Sequence, residues 1–277
     1  MLFGLGGALA AAVCYGVASV VQAVAVRHLT RAAAGTGWLA RAWAGRWYAV
    51  GLALDGLGFL ASVVALRTLP LFLVQALVAA SIGVTAVLAA AFLGVALSRA
   101  QVGALVVIAA GLTALAGSAP EQAARGLAGV GPWLLLLGVL PLVVAMVAAT
   151  RGTRPSAFVL LAVAAGLGFA GVGISARVLV IPSPWWHVVG DPALWALAAY
   201  GVQSTVCYGM ALAKGSVTVA TGLTLGVETV VPGAIGLAAL GDHVRPGWGP
   251  VAAVGFALAL AGCLVLARRP VHPPGYP

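Results

Sequence analysis

Apolar residues in this chain come in long unbroken runs, not in the alternating or helical stripes of a water-soluble domain. Nine runs cover 2–26, 47–66, 71–93, 102–117, 132–149, 157–176, 192–213, 217–240 and 250–267. Each is close to the roughly 20 residues that a helix needs to cross a bilayer. Turn-forming pairs and triplets separate the runs: Leu69-Pro70, Ser118-Ala119-Pro120, Arg154-Pro155, Ile181-Pro182-Ser183-Pro184, Asp191-Pro192 and Arg245-Pro246-Gly247. The tryptophans fall in the proposed loops or near helix ends, at the headgroup level that the indole ring prefers. The pattern predicts an all-α polytopic membrane protein of nine transmembrane helices. The first run starts at Met1 without a basic leader and is too long for a signal-peptide core, so a retained span is expected.

Composition narrows the class further. Of 277 residues, 63% are hydrophobic and 7% charged, against about 45–50% and about 25% in a typical soluble domain. Nine spans leave no length for a separate soluble domain. The balance of 14 basic against 5 acidic residues would point to nucleic acid in a soluble protein, but here the basic residues stand between apolar runs, where they set orientation in a bilayer. No aromatic-interleaved basic face exists for a phosphate backbone, and no nucleic-acid partner is expected. Cys14, Cys207 and Cys263 lie inside apolar runs and read as free thiols. The histidines, His28, His187, His243 and His272, are scattered, which argues against a structural metal cage. No cofactor is expected.

Nine spans put the termini on opposite sides, so loop charge can choose the orientation. With the N-terminus outside, Arg27, Arg31, Arg41, Arg46, Arg99, Arg151, Arg154, Lys214, Arg268 and Arg269 are cytoplasmic, and Arg67, Arg125, Arg177 and Arg245 are outside. That split predicts N-out and C-in. Arginine outnumbers lysine thirteen to one, the bias of a GC-rich bacterial genome, and the plasma membrane is the expected location. Segment 35–45, with Trp38, Leu39, Ala42 and Trp43 at helical spacing, reads either as a surface-lying amphipathic helix or as a polar loop. The tail 270–277 lacks apolar content and is expected to be disordered.

A repeat runs through the chain. The stretch from Ala65-Leu66 to Gly117 resembles that from Ala211-Leu212 to Gly262, with Leu93-Gly94 matching Leu240-Gly241. The first helices also agree in character, Cys14-Tyr15-Gly16-Val17-Ala18-Ser19 beside Gly168-Phe169-Ala170-Gly171. Spans 1–4 and 6–9 then form two repeats around span 5. Residues 1–118 hold the first repeat, 119–150 a connecting loop and span 5, and 151–269 the second. Equivalent helices are five spans apart, an odd number, so they cross in opposite directions. Inverted repeats of this kind let secondary transporters alternate between two states around a site near the midplane.

Asp55 and Glu228 alone put an ionisable carboxyl near the middle of a proposed span. An acid at that depth costs on the order of 3 kcal/mol on insertion scales and ordinarily faces the bundle interior. Pro232 lacks an N–H and clashes with the carbonyl at i−4, which is that of Glu228. With Gly222, Gly226, Thr221, Thr224 and Thr229 nearby, the segment reads as an interrupted helix able to bind a cation or as a simple proline kink. Gln22, Gln75 and Gln203 are amides within spans, available to solute or to neighbouring helices, as are Ser81 and Thr85. The ladders Gly4, Ala8, Ala12, Gly16 and Gly103, Gly111 read as close-packing faces.

Leu54-Asp55 and Gly58-Phe59 stand where one group of transporters has Gly-Glu followed by Asn-Phe in the second span. Leu73-Val74-Gln75-Ala76-Leu77 matches a Leu-Val-Thr-Pro-Leu run of the third span, and Ser118-Ala119-Pro120-Glu121 a His-Ala-Pro motif followed by acidic residues at the end of the fourth. In these features the chain resembles the drug/metabolite transporter superfamily, and within it the NIPA-type magnesium transporters, which also have nine spans. Gly58 replaces the family's Asn and Ala76 its Pro. The resemblance implies a secondary transporter, with Mg²⁺ as one candidate solute held by Asp55 and Glu228. The residues suit equally a proton-coupled exporter of a metabolite or organic cation. Expected solute contacts are Asp55, Glu228, Gln22, Gln75, Gln203 and Thr224, with Asp55 and Glu228 also the tentative ligands of a transported cation. The lipid bilayer is the expected environment, and a homodimer is an open assembly. No enzyme motif, neither HExxH nor G-x-S-x-G, occurs, so an enzyme is not expected; a non-transporting accessory or lipid-handling protein is the alternative of another class.

Overall fold

The structure is a computed structural model that describes residues 2–33, 38–93, 97–151, 155–180 and 182–268. Among these residues the only regular structure is helical. The helices are α1 (Leu2–Ala33), α2 (Trp38–Ala65), α3 (Leu71–Ala79), α4 (Ser81–Leu93), α5 (Arg99–Ser118), α6 (Gly131–Leu137), α7 (Val139–Arg151), α8 (Pro155–Val178), α9 (Pro192–Lys214), α10 (Val217–Ala239) and α11 (Gly249–Arg268). Among the described residues eight stretches are long and apolar enough to cross a membrane: Leu2–Ala25, Gly45–Ala65, Leu71–Phe92, Arg99–Ser118, Gly131–Arg151, Ala157–Val178, Val219–Ala239 and Gly249–Arg268. The chain is a multi-pass helical membrane protein. The seventh expected span is α9, a helix of 23 residues. Tyr200, Gln203, Ser204, Thr205 and Tyr208 lower its hydropathy without shortening it.

Two spans are built from broken helices. Pro141 explains the break between α6 and α7, because its ring opposes the carbonyl of Leu137, the last residue of α6. The break between α3 and α4 falls at Ala80, where the Gly83 N–H turns back to the Ala80 carbonyl at 2.8 Å. No proline marks that place; a Ser81/Gly83 pair does, one of the common causes of a sharp kink. Pro232, expected to mark an interrupted or kinked helix, lies inside α10, which continues past it to Ala239. One lost N–H does not end a helix whose proline is buried against its neighbours. Segment Trp38 to Gly45 is neither a loop nor a separate surface helix, but the start of α2. The tail 270–277 lies outside the described residues.

Helices pack where side chains are small. Because lipid is as apolar as leucine, association of helices in a bilayer depends on close van der Waals contact. A Cβ on Gly111 of α5 would lie 2.6 Å from the Gly255 carbonyl oxygen and the Ala259 amide nitrogen of α11. Gly16 of α1 meets Val84 and the Ser81 carbonyl of α4; Gly166 of α8 meets Val227 and the Thr224 carbonyl of α10. Gly103, expected to pack as Gly111 does, faces open space. The largest interfaces are α1 with α2, α8 with α9, α5 with α11, α8 with α10, α1 with α4 and α3 with α10.

The bundle has two distinct ends. One gathers the start of α1, since Gly4 abuts Thr68 and Leu69, together with the α2–α3, α5–α6, α8–α9 and α10–α11 connections. At the other, Lys214 Nζ at the end of α9 donates to the Ala149 carbonyl at 3.0 Å, near the end of α7, and Leu97 packs near Leu266. The two ends are called here the N-terminal end and the far end.

Candidate solute-binding cavity

A cavity of about 520 Å³ lies between α1, α2, α3, α4, α8, α9 and α10. Asp55 of α2 and Glu228 of α10 both line it. Each falls near the middle of its apolar stretch, Gly45–Ala65 and Val219–Ala239. The sequence placed an acid in each of these spans, and folding brings the two to one chamber. Among the described residues no lysine, arginine or histidine lines it.

Local packing sets each polar group. Asp55 Oδ2 accepts a hydrogen bond from Gln22 Nε2 at 2.6 Å. Gln22 reaches it by crossing α2 at Gly51, where a Cβ would lie 2.4 Å from Gln22 Cγ. Glu228 makes no described hydrogen bond or ion pair, and the Pro232 ring four residues on leaves its carbonyl without a helix donor. Gln75 of α3 lines the cavity because Gly173 of α8 makes room: a Cβ there would lie 2.0 Å from Gln75 Nε2. Tyr15 lies over Gly58, 3.3 Å from where a Cβ would stand, so the glycine that replaces the resembling family's Asn accommodates an aromatic ring. Tyr15 shares the cavity wall with Ser62 and with both carboxyls.

Most remaining hydroxyls in the wall are occupied. Ser62 Oγ donates to the Phe59 carbonyl at 2.7 Å, Thr229 Oγ1 to the Leu225 carbonyl at 2.7 Å and Thr85 Oγ1 to the Ser81 carbonyl at 3.1 Å. Thr221 Oγ1 pairs with the Tyr208 hydroxyl at 2.8 Å. Apolar and aromatic groups, Phe59, Phe169, Val78 and Leu225 among them, fill out the surface. The polar offer to a guest centres on the two carboxyls, with the Gln75 amide and the Tyr15 and Ser81 hydroxyls in the same wall.

Three expected solute contacts do not line the cavity: Gln22 bonds Asp55 without being in the wall itself, and Gln203 and Thr224 are engaged between helices. Gln203 Nε2 donates to the Ala164 carbonyl at 3.3 Å and contacts Cys207 Sγ at 3.1 Å, tying α9 to α8. Thr224 Oγ1 donates to the Ala162 carbonyl at 3.0 Å, tying α10 to α8. Neither is among the lining residues. Among the described residues no group of three or more His, Cys, Asp or Glu could hold a metal ion. A transported cation would have Asp55 and Glu228 as its only carboxyls.

Leu66 and Ala176 close the cavity toward the N-terminal end, and their backbone carbonyls belong to a polar cluster just beyond it. Arg177, at the end of α8, donates through Nη1 to the Leu66 carbonyl and through Nη2 to Asp242 Oδ1 at 2.9 Å. Arg67, after α2, donates to the Ala176 carbonyl at 2.7 Å and to the Leu179 carbonyl. Burial and the nearby Arg177 charge push the Arg67 guanidinium below its ordinary value, and it remains a cation. Asp242 Oδ2 accepts from the Leu71 N–H at 2.6 Å, capping α3, whose preceding residue, Pro70, offers no side-chain cap. Gln122 and His243 exchange two hydrogen bonds, at 2.6 and 2.9 Å. From sequence, Arg67 and Arg177 had only an orientation role; the signal available was that each directly follows a long apolar run.

Comparison with family models, with curated proteins and with solved structures finds no match.

Proposed function

We propose that this chain is a secondary transporter of a small cationic solute, working by alternating access between two inverted four-span repeats. One observation carries the reading: Asp55 from the first half and Glu228 from the second line one mid-depth cavity to which, among the described residues, no basic side chain contributes. Two carboxyls without a protein counter-charge suit a guest that brings positive charge.

Nine spans and the inverted repeat are supported by the packing. Exchanging α1 with α8, α2 with α9, α3/α4 with α10 and α5 with α11 maps the principal interfaces onto one another. Gly16 on Val84 and the Ser81 carbonyl has its counterpart in Gly166 on Val227 and the Thr224 carbonyl. That geometry sets Ser81 against Thr224, one helical turn from the register in which Leu93-Gly94 meets Leu240-Gly241. Loop charge favours an outside N-terminus and a plasma-membrane location. The likeness to the drug/metabolite transporter superfamily is part of the same proposal.

Mg²⁺ keeps several of its waters and needs only one or two carboxylates, so the two acids satisfy its minimum. The aromatic wall of Tyr15, Phe59 and Phe169 and the volume of about 520 Å³ favour an organic cation, whose face can lie on a ring. The test is flux in proteoliposomes, with Mg²⁺ and tetraphenylphosphonium as separate probes, with and without a proton gradient. Asp55→Asn and Glu228→Gln should each cut flux of the true substrate by more than about tenfold, about 1.4 kcal/mol. Undiminished flux in both variants refutes the site. Absence of flux for every cation, with retained lipid binding, would favour a lipid-handling protein.

A further inference from the structure

We propose that Arg67, Arg177 and Asp242 form a gate that holds the cavity shut at the N-terminal end of the bundle; this rests on the alternating-access reading above. The arginine–carbonyl ties and the Leu71–Asp242 bond join the first half of the chain to the second, and the Arg177–Asp242 ion pair, within the second half, couples the two sets. Arg67 follows α2 and holds the Ala176 and Leu179 carbonyls at the end of α8. Arg177 ends α8 and holds the Leu66 carbonyl after α2. Asp242 follows α10, pairs with Arg177 and caps α3. Each arginine thus satisfies the terminal carbonyls of the other half's helix, where cations are also favoured by the helix dipole.

Position makes this a gate and not only a brace. The carbonyls of Leu66 and Ala176 accept from the arginines, while the same two residues line the cavity. Nothing but these residues' own thickness separates the cluster from the chamber. Opening at this end requires the α2 and α8 termini to part, which breaks the Arg67 and Arg177 clasps together. The ion pair is buried, with side-chain exposures of 3% and 0%, so its strength depends on staying dry. Water admitted by a first separation weakens the remainder, as a two-state closure requires.

The test is sided chemical access. Val78, in the cavity wall, becomes the reporter as Val78→Cys in protein whose Cys14, Cys207 and Cys263 are replaced by alanine. A membrane-impermeant maleimide is applied separately to each side of sealed vesicles of known orientation. Arg67→Met and Asp242→Asn should each raise labelling from the N-terminal side by about tenfold relative to labelling from the far side. The double variant Arg177→Met/Asp242→Leu removes the charges without stranding either and should do the same. Unchanged N-terminal-side labelling in all three overturns the gate, and so does an equal rise from both sides. Cation flux on the same vesicles separates the two proposals. Side-specific labelling in protein that carries no cation keeps the gate and removes the transport reading, and flux with unaltered labelling does the reverse.

Discussion

Removal of the Asp242 carboxylate should reveal how the end cluster is held. The group is fully buried, pairs with Arg177 at 2.9 Å and caps the Leu71 amide at 2.6 Å. Asp242→Leu leaves a buried guanidinium without counter-charge, which costs about 3–5 kcal/mol when one partner of a buried pair is deleted. An unpaired Leu71 N–H adds about 1–3 kcal/mol. Arg177 retains the Leu66 and Gln122 carbonyls as acceptors, so the total should fall near about 4 kcal/mol. Asp242→Asn keeps the shape and an oxygen for Leu71, losing only the charge-assisted part, about 1.5–3 kcal/mol. The double variant Arg177→Met/Asp242→Leu removes both charges, and apolar replacement of a buried pair is close to neutral. It should therefore be more stable than Asp242→Leu alone, by about 1–3 kcal/mol. Equilibrium unfolding in mixed micelles, followed by helical circular dichroism, reads all three. If the double variant is less stable than Asp242→Leu, the two losses add and the ion-pair account is refuted.

Three further outcomes follow from the packing. Gly111→Leu should separate α5 from α11, because its Cβ would meet backbone at 2.6 Å; a loss of about 1–3 kcal/mol or more is expected, whereas Gly103→Leu, facing open space, should leave unfolding unchanged. Gln203→Leu removes a buried amide whose Oε1 has no partner, so stability should change by less than about 1 kcal/mol and cation flux should stay native; a tenfold loss of flux would put Gln203 on the solute path. Gly173→Ala forces the Gln75 amide from its place at 2.0 Å. Since only a flexible chain end must move, the variant should unfold like the parent but carry solute more slowly, and native flux would remove Gln75 from the site.

What could be read from the sequence were properties local to one span. An apolar run of bilayer length is visible without knowing its neighbours, and the runs at 71–93 and 217–240 match α3/α4 and α10 closely. Asp55 and Glu228 stood out because a carboxyl inside such a run costs free energy wherever the run packs. Gln203 and Thr224 drew attention on the same ground, but a neutral polar group in a membrane can be satisfied by a neighbouring helix, and there the two remain. Pro141 was a break signal inside an expected continuous span; the break at Ala80 has only a Ser/Gly pair to announce it. The end cluster was hidden for another reason. Its bonds join residues far apart in sequence, Leu71 and Asp242 being 171 positions apart, and no periodicity records such a pairing.

The distribution of ties between the halves bears on which state the structure represents. Toward the far end, Leu97 and Ile82 share one apolar cluster with Leu266 and Leu225, and such contacts gain little over lipid contact beyond their fit. At the N-terminal end the ties across the halves are the arginine–carbonyl clasps and the Leu71 cap, with the Arg177–Asp242 pair inside the second half bonded to both. The lining of the cavity runs from Leu66 and Ala176 beside that cluster to Thr85, Thr221 and the exposed Ser19 toward the far end. Under the proposed mechanism this is the state closed at the N-terminal side, the side that the proposed orientation puts outside. The acids also occupy unequal places, Asp55 on the second helix of its half and Glu228 on the third helix of the other. An exact exchange of the halves would therefore not return the site to itself. Under the proposed mechanism a solute would meet a different arrangement of carboxyls in the two states, and that difference would let its binding bias one closure over the other.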